Sequence, residues 1–486
     1  MANPLLFRSL LRDAPLANAS NQQGAAAFAF TPRHKLAQMV MTGCMNETFY
    51  ASGQAQLNDV LATAKDLDDL FLAQLAIYGR ERGMMKDMPA LLTAILAARG
   101  SALLPVVFAR VINNGRMLRN FVQMLRSGVT GRRSLGTRPK KLVQRWLQNA
   151  SEERLLQASV GNAPSLADIV KMVHPRPQAA WQEAFFAWLI GKPCDKAQLP
   201  EKTRALLAFR EGDMGAALPD VPFLLLTNAP LSREQWAQLA QRLADRAQVR
   251  QSWVYPYQLL SAWSNLQSSV PQVIREALVQ AMEYALENIP PFRGNVVVCP
   301  DVSGSMKSSI TGYRKGATSK IRCVDVAGLI AAAVLRNHPQ ARVLPFECDV
   351  VDVRLDARQS VMHNAQKLAA VGGGGTNCSA PLRRLLNERA RVDLVIMVSD
   401  NESWVDKSRH GSTATMECWI ELKKRNPQAR LVCIDLLPYG TTQAAERSDI
   451  LNVGGFSDEV FTVIDNFVND RYGSAHWLEE IEAVTL

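Results

Sequence analysis

From residue 295 onward, short apolar runs alternate with helical stretches, and this alternation constrains the fold more than any other feature of the chain. The runs at 295–299, 341–345, 393–398 and 430–437 are short and bounded by breakers, and they read as strands. The stretches at 324–337, 379–389 and 414–425 read as helices. Strands that are apolar throughout must be covered on both faces, so the arrangement is a mostly parallel sheet wrapped by helices. Ligands of such sheets bind beyond the carboxyl ends of the strands. Upstream, from about residue 30 to about residue 290, the chain reads as helix after helix and strand-type alternation is rare. Leu118, Phe121, Val122 and Leu125 fall at i, i+3, i+4 and i+7, and Gly, Pro and Asn punctuate the segments at Arg82-Gly83, Arg99-Gly100, Asn113-Asn114-Gly115 and Pro175-Arg176-Pro177. Many short helices without a strict period suggest an irregular solenoid of helical hairpins. The breaker cluster Pro290-Pro291-Phe292-Arg293-Gly294 separates the two textures. A chain of 486 residues is too long for one ordinary core, so we expect a helical domain over 1–292 and an α/β domain over 293–486.

Three segments of the α/β half bring hard oxygen donors to strand ends. The first strand runs into Asp301-Val302-Ser303-Gly304-Ser305, a later loop carries Gly372-Gly373-Gly374-Gly375-Thr376-Asn377, and the run ending at Val398 continues into Ser399-Asp400-Asn401-Glu402. Carboxylates, hydroxyls and waters suit one Mg²⁺ in near-octahedral geometry. Asp301, Ser303 and Ser305 alternate, so a tight turn can point all three inward, and the glycines let the backbone carrying Thr376 approach the ion. The competing reading makes Asp301, Ser303 and Ser305 a helix cap or turn and the glycines a plain loop. No phosphate-cradling G-x-x-x-x-G-K-[ST] is present.

The helical half has a charge signature. Residues 88–151 contain eleven Lys or Arg and no Asp or Glu, in a chain that otherwise nearly balances and has a net charge of +10. At about 100° per residue, Arg116, Arg119 and Arg126 share one helical face, opposite the stripe of Leu118, Phe121, Val122 and Leu125. A loop segment follows with Arg132, Arg133, Arg138, Lys140 and Lys141. Such a surface suits phosphates and should bind them with strong salt dependence; the plainer alternative is a solvated positive face. Ser165 and Asp168 form a capping box for a helix that ends at His174, placing Lys171 and His174 on one face. Trp146 and Tyr78 lie near these bases and could stack on nucleobases, although burial between helices is the commoner fate of such rings. The six histidines are dispersed, and neither G-x-S-x-G nor H-E-x-x-H occurs, so no catalytic constellation is in evidence and we expect no enzyme. The eight cysteines, Cys44 among them, are scattered without C-x-x-C spacing, which argues against zinc and against a disulfide framework. With neither a secretory leader nor an apolar run long enough to span a bilayer, a cytoplasmic protein without membrane association is expected.

The set Asp301, Ser303, Ser305, Thr376 and Asp400 resembles the metal-ion-dependent adhesion site of von Willebrand factor A domains. Further segments resemble the Ro (TROVE) family in its bacterial form: Ile77-Tyr78-Gly79-Arg80-Glu81-Arg82-Gly83, Lys86-Asp87-Met88-Pro89, the stretch 111–122, the stretch 131–146, and 165–174, in that order and followed by the A domain. The resemblance implies a multidomain chain, an all-α HEAT-like helical-repeat ring plus a doubly wound, Rossmann-like α/β domain. It also implies a central hole that takes single-stranded 3′ ends of misfolded noncoding RNA, and an outer basic surface for the small structured Y RNA. His174 matches an RNA-contacting position and Lys171 the basic position of the same pattern. A 3′–5′ exoribonuclease, polynucleotide phosphorylase in bacteria, is an implied partner, and the metal site could capture an acidic protein ligand. One departure stands out: the stretch between Gln157 and Ser165 carries no base.

Overall fold

The computed structural model describes residues 14–43, 45–159, 164–210, 231–251, 256–313, 320–406, 411–457, 459–471 and 477–486. Cys44 and part of the base-free stretch before Ser165 lie outside these residues. The chain divides into two compact units, one formed by 1–67 with 240–483 and the other by 68–239 with 484–486.

Five parallel strands build the first unit: β3 (Val296–Pro300), β4 (Arg342–Val343), β5 (Leu394–Ser399), β6 (Arg430–Asp435) and β8 (Ile450–Gly454), in the order β4-β3-β5-β6-β8. Every residue of β3, β5 and β8 is buried, as a doubly covered sheet requires. One face packs Val297, Cys299, Val395, Met397, Leu431 and Cys433 against helices α18 (Ala380–Asn387) and α19 (Ala414–Arg425), around the fully buried Trp419. Helix α16 (Cys323–Asn337) packs on β3 and β5, and α20 (Glu459–Val468) packs on β6 and β8. The chain leaves β3 to one side for β4 and returns to the other side for β5. The β3/β5 pair is therefore the point where strand order reverses, the place at which open α/β sheets carry their sites.

The units do not divide at 292/293. The N-terminal segment adds a hairpin, β1 (Ala19–Ser20) and β2 (Ala26–Ala29), which continues antiparallel onto β7 (Thr441–Thr442) through Phe28↔Thr442. Phe28 enters the apolar core beside Trp419, and helix α1 (Pro32–Thr42) packs on β8. Strands of two to four residues carry too little pattern to be seen in a sequence, and the β2–β7 pairing joins residues as far apart as Phe28 and Thr442.

The second unit is helical over α3 (Asp69–Glu81), α4 (Asp87–Arg99), α5 (Leu104–Val111), α6 (Gly115–Arg126), α7 (Thr137–Asn149), α8 (Glu152–Ala158), α9 (Leu166–Val173), α10 (Ala180–Leu189) and α11 (Glu201–Arg210). Helix α4 is buried from Met88 to Ala97 and packs against α3, α5 and α6. The stripe expected on α6 is its core face: Leu118, Phe121, Val122 and Leu125 are all buried. Asn114 caps α6 by accepting from Met117 N at 3.0 Å. Gly115 allows α8 to come close, since a Cβ there would sit 2.3 Å from Ala158 Cα. Among the described residues no helix is long and apolar enough to cross a membrane.

Candidate metal centre and basic face

The five oxygen donors lie at the reversal point, all of them buried. Asp301 follows β3 and Asp400 follows β5. Asp301 Oδ1 accepts from Ser303 N at 2.8 Å, and Asp301 Oδ2 accepts from Ser399 Oγ at 2.6 Å. Ser303 Oγ and Ser305 Oγ stand 3.3 Å apart. The glycine loop is pinned by Gly304 N donating to Gly374 O at 2.8 Å and by Gly374 N donating to Glu347 Oε2 at 2.7 Å. Only glycine fits at 372, where φ is +77° and a Cβ would meet Val302 O at 2.3 Å. Thr376 follows two residues after Gly374. Its carbonyl accepts from Trp404 N at 3.1 Å, which ties the loop to the segment after Asp400.

The electrostatics of this face are those of buried like charges. Burial first, then the neighbouring Asp400, pushes the Asp301 carboxyl up to about 7. Burial raises Asp400 in the same direction. Glu402 is pushed up to about 8 by burial and by Asp400. Asp435, which accepts from Asn401 Nδ2, is raised well above the usual carboxylate range by burial, then by Asp400 and Glu402. Asp400 Oδ2 is buried with no hydrogen-bond partner among the described residues. A divalent cation held between Asp301 and Asp400 would cancel their repulsion and satisfy that oxygen. Two carboxylates and three hydroxyl side chains are a hard donor set of the kind magnesium takes, so the residues fit the ion. No group of three or more His, Cys, Asp or Glu able to hold a metal occurs among the described residues, so this hydroxyl-rich set is not a carboxylate cage.

Two neighbours of the site come from the N-terminal segment, where no local motif announces them. Gln22 N donates to Glu402 Oε2 at 2.8 Å, which assigns Glu402 a bond to the hairpin. Tyr50 lies close to Ser305 and Asp400, and burial, then Asp400, pushes its pKa up to about 12.

The bases of the helical unit separate into two groups. Arg99 pairs with Asp69 at 2.9 Å and Arg110 with Glu81 at 2.6 Å. Arg119 is half-buried and donates to Ala158 O at 2.7 Å. Arg138 donates to the carbonyls of Ser101 at 3.0 Å and of Gly100 and Ala102 at 3.3 Å each. The guanidinium groups of Arg119 and Arg138 thus hold the protein's own backbone, because carbonyls at helix ends and turns lie within their reach. By contrast, the side chains of Arg116, Arg126, Arg132, Arg133, Lys140 and Lys141 have no bonded partner among the described residues. The capping box of α9 forms as expected, with Asp168 N donating to Ser165 Oγ at 3.1 Å. Lys171 is exposed beyond it, and His174 terminates the helix in the left-handed conformation at φ 51°. Gln144 Nε2 donates to Val173 O at 2.6 Å and ties α9 to α7. Tyr78 and Trp146 are buried; Trp146 Nε1 donates to Ile112 O at 2.6 Å, and Arg154 covers its ring at 4.7 Å.

Comparison with known proteins matches residues 295–468 to the Ro60 vWA domain. The RNA-binding protein RO60 of Deinococcus radiodurans is 25% identical over 238 residues, which cover 47% of this chain and 43% of that protein. The RNA-binding protein RO60 of Caenorhabditis elegans is 22% identical over 247 residues, covering 48% of this chain and 36% of that one. Each match thus spans less than half of the relative's own length. The crystal structure of the Deinococcus radiodurans RO (RSR) protein superposes with a TM-score of 0.55 at 19% identity, over 91% of this chain and 100% of that one. Residues 295–468 are accordingly a von Willebrand factor A domain of the Ro60 kind, in a chain that has the fold of a Ro protein.

Proposed function

We propose that this chain is an RNA-binding protein that acts without catalysis. The observation that carries the reading is the cluster of bases in the helical unit that no described carboxylate neutralises, namely the exposed Arg116, Arg126, Arg133 and Lys141 and the half-buried Arg132 and Lys140. Unpaired cations on a stable helical surface attract phosphates by releasing condensed counterions. The names of the two relatives point the same way. The finer reading follows the Ro resemblance. A small Y RNA would lie on the outer basic surface, with Lys171 and His174 at its edge, and the single-stranded 3′ end of a misfolded noncoding RNA would enter a central hole. The role would be RNA quality control or decay in the cytoplasm, beside a 3′–5′ exoribonuclease such as polynucleotide phosphorylase.

In this reading Asp301, Ser303, Ser305, Thr376 and Asp400 hold one Mg²⁺. The ion supplies a partly neutralised electrophilic centre able to accept a carboxylate. A metal-dependent protein-interaction role is favoured by one observation, the buried Asp400 oxygen without a partner, and it is the second reading. Filter binding at two salt concentrations tests the first, comparing a duplex with a single-stranded 3′ tail against a blunt duplex. Tight, salt-sensitive, tail-dependent binding is expected. Absence of binding to either RNA would leave the protein-interaction reading alone.

A further inference from the structure

The unpaired bases do not merely decorate a convex surface; four of them surround a cleft. Arg126 at the end of α6, Arg133 in the following loop, and Lys140 and Lys141 on α7 line a cavity of about 530 Å³ together with Leu135 and Met172. That volume falls within the roughly 300–1,000 Å³ that small-ligand sites occupy. None of its lining residues is acidic, and the wall it presents is mainly carbon. Leu135 is buried and fixed, and Met172 is half-buried on α9, which the Gln144 bond to Val173 O holds against α7. A purely phosphate-binding surface needs no apolar hollow. A hollow with an apolar wall and cations suits an amphipathic anion, flat and apolar at one end and phosphorylated at the other. The open start of α7 adds to this. Its N-cap is Gly136 (φ 71°), which offers no side-chain oxygen to the first-turn N–H groups.

We propose that this cleft holds one unstacked nucleoside phosphate, its base against Leu135 and Met172 and its phosphates on Arg126, Arg133, Lys140 and Lys141. The proposal rests on the RNA-binding reading and deepens it. One nucleotide of the bound strand leaves the stack and enters the helical unit, so recognition there includes a base as well as a backbone. Thioether and aliphatic carbon accept any base face, so the cleft selects for an unpaired nucleotide and not for a sequence.

The test uses the full chain and three probes. These are a single-stranded oligouridylate carrying one 4-thiouridine, a ribose-phosphate strand of the same length and charge without bases, and free uridine monophosphate. The base-bearing strand should bind about tenfold more tightly than the abasic one, a difference of about 1.4 kcal/mol. Met172→Ala should shrink that ratio several-fold, and the photocrosslink should map to the peptides containing Leu135 or Met172. The crosslink is read on the unmodified protein, so it decides the matter even if the variant folds poorly. Competition by uridine monophosphate would identify free nucleotide as an additional source of the ligand, whereas its failure to compete would assign the cleft to a nucleotide within a strand. Equal affinity for both strands with crosslinks elsewhere overturns the cleft and leaves RNA binding standing. Failure of both strands to bind overturns the RNA-binding reading and the cleft with it.

Discussion

The two units each gather charge of one sign, and they do so under opposite physical conditions. In the α/β unit four carboxylates, Asp301, Asp400, Glu402 and Asp435, are buried almost completely. In the helical unit six bases have no bonded partner among the described residues, and four of them, Arg116, Arg126, Arg133 and Lys141, are exposed. Burial makes every uncompensated charge expensive, so the acidic site exists only because the sheet, the glycine loop and the N-terminal hairpin hold it in place. The exposed bases cost little to hold and are screened beyond a Debye length of about 8 Å at physiological salt. The first site should therefore respond to protons and divalent cations, and the second to ionic strength. This contrast can be broken experimentally at either end.

The largest expected effect is on RNA. Reversing the charge at Arg132, Arg133, Lys140 and Lys141 should weaken single-strand binding by on the order of a hundredfold at low salt. The salt slope should flatten by up to about 3, at about 0.7 per lost phosphate contact. Filter binding across a salt series measures both. Binding that is unchanged in strength and slope would move the RNA surface away from this patch, and the contrast between the units would lose one side.

Next in size is the response of the α/β unit to pH and magnesium. Asp301 and Glu402, at about 7 and about 8 in the folded chain, titrate above their ordinary range, so without metal the native state binds more protons than the unfolded one. The stability they contribute is fully present below about pH 4 and is lost as pH rises through their folded values near 7 and 8. Metal-free protein should therefore lose thermal stability between about pH 4 and pH 8 as far as these groups are concerned. Mg²⁺ should restore it most at the alkaline end, because ligands must shed their protons to bind. Asp400→Asn removes one of the repelling charges. It should raise the metal-free melting temperature at pH 8 and abolish the magnesium response. Thermal melts at pH 5.5 and pH 8, with and without Mg²⁺, read all of this; an equal magnesium response in Asp400→Asn would refute the assigned ligand set.

How legible these sites were depended on sequence distance. Asp301, Ser303 and Ser305 lie within five residues of one another at a strand end, and Asp400 closes another fully apolar strand, so alternation and breakers place them. The capping box at Ser165 and Asp168 and the core stripe of α6 are equally local, and they are present where expected. Tyr50 and Gln22 reach the metal face from a distant part of the chain. The hairpin that carries Gln22 into the α/β unit pairs over a few residues only, below any detectable periodicity. The roles of the bases were hidden for a related reason. Composition marks residues 88–151 as acid-free but cannot tell a guanidinium that faces solvent from one that caps a turn 36 to 38 residues earlier, as Arg138 does.

That last distinction yields the smallest and most discriminating effect. Arg138 and Arg133 lie five residues apart, are both exposed and carry the same charge, so a purely electrostatic account treats them alike. The structure does not. Arg138 donates to three carbonyls of the turn between α4 and α5, whereas the Arg133 side chain has no bonded partner among the described residues and lines the cleft. Arg138→Ala should therefore cost about 1 kcal/mol of stability, discounted for its solvent exposure, because carbonyls at a helix end lose their donors. It should leave the salt slope of RNA binding nearly unchanged. Arg133→Ala should do the reverse, leaving the denaturation midpoint in place and lowering the slope by about 0.7. Denaturant titration and salt-dependent binding on the same two variants separate the roles. Equal slopes lost by both would mean that Arg138 leaves its turn when RNA binds, and that the division between structural and phosphate-facing bases holds only in the free protein.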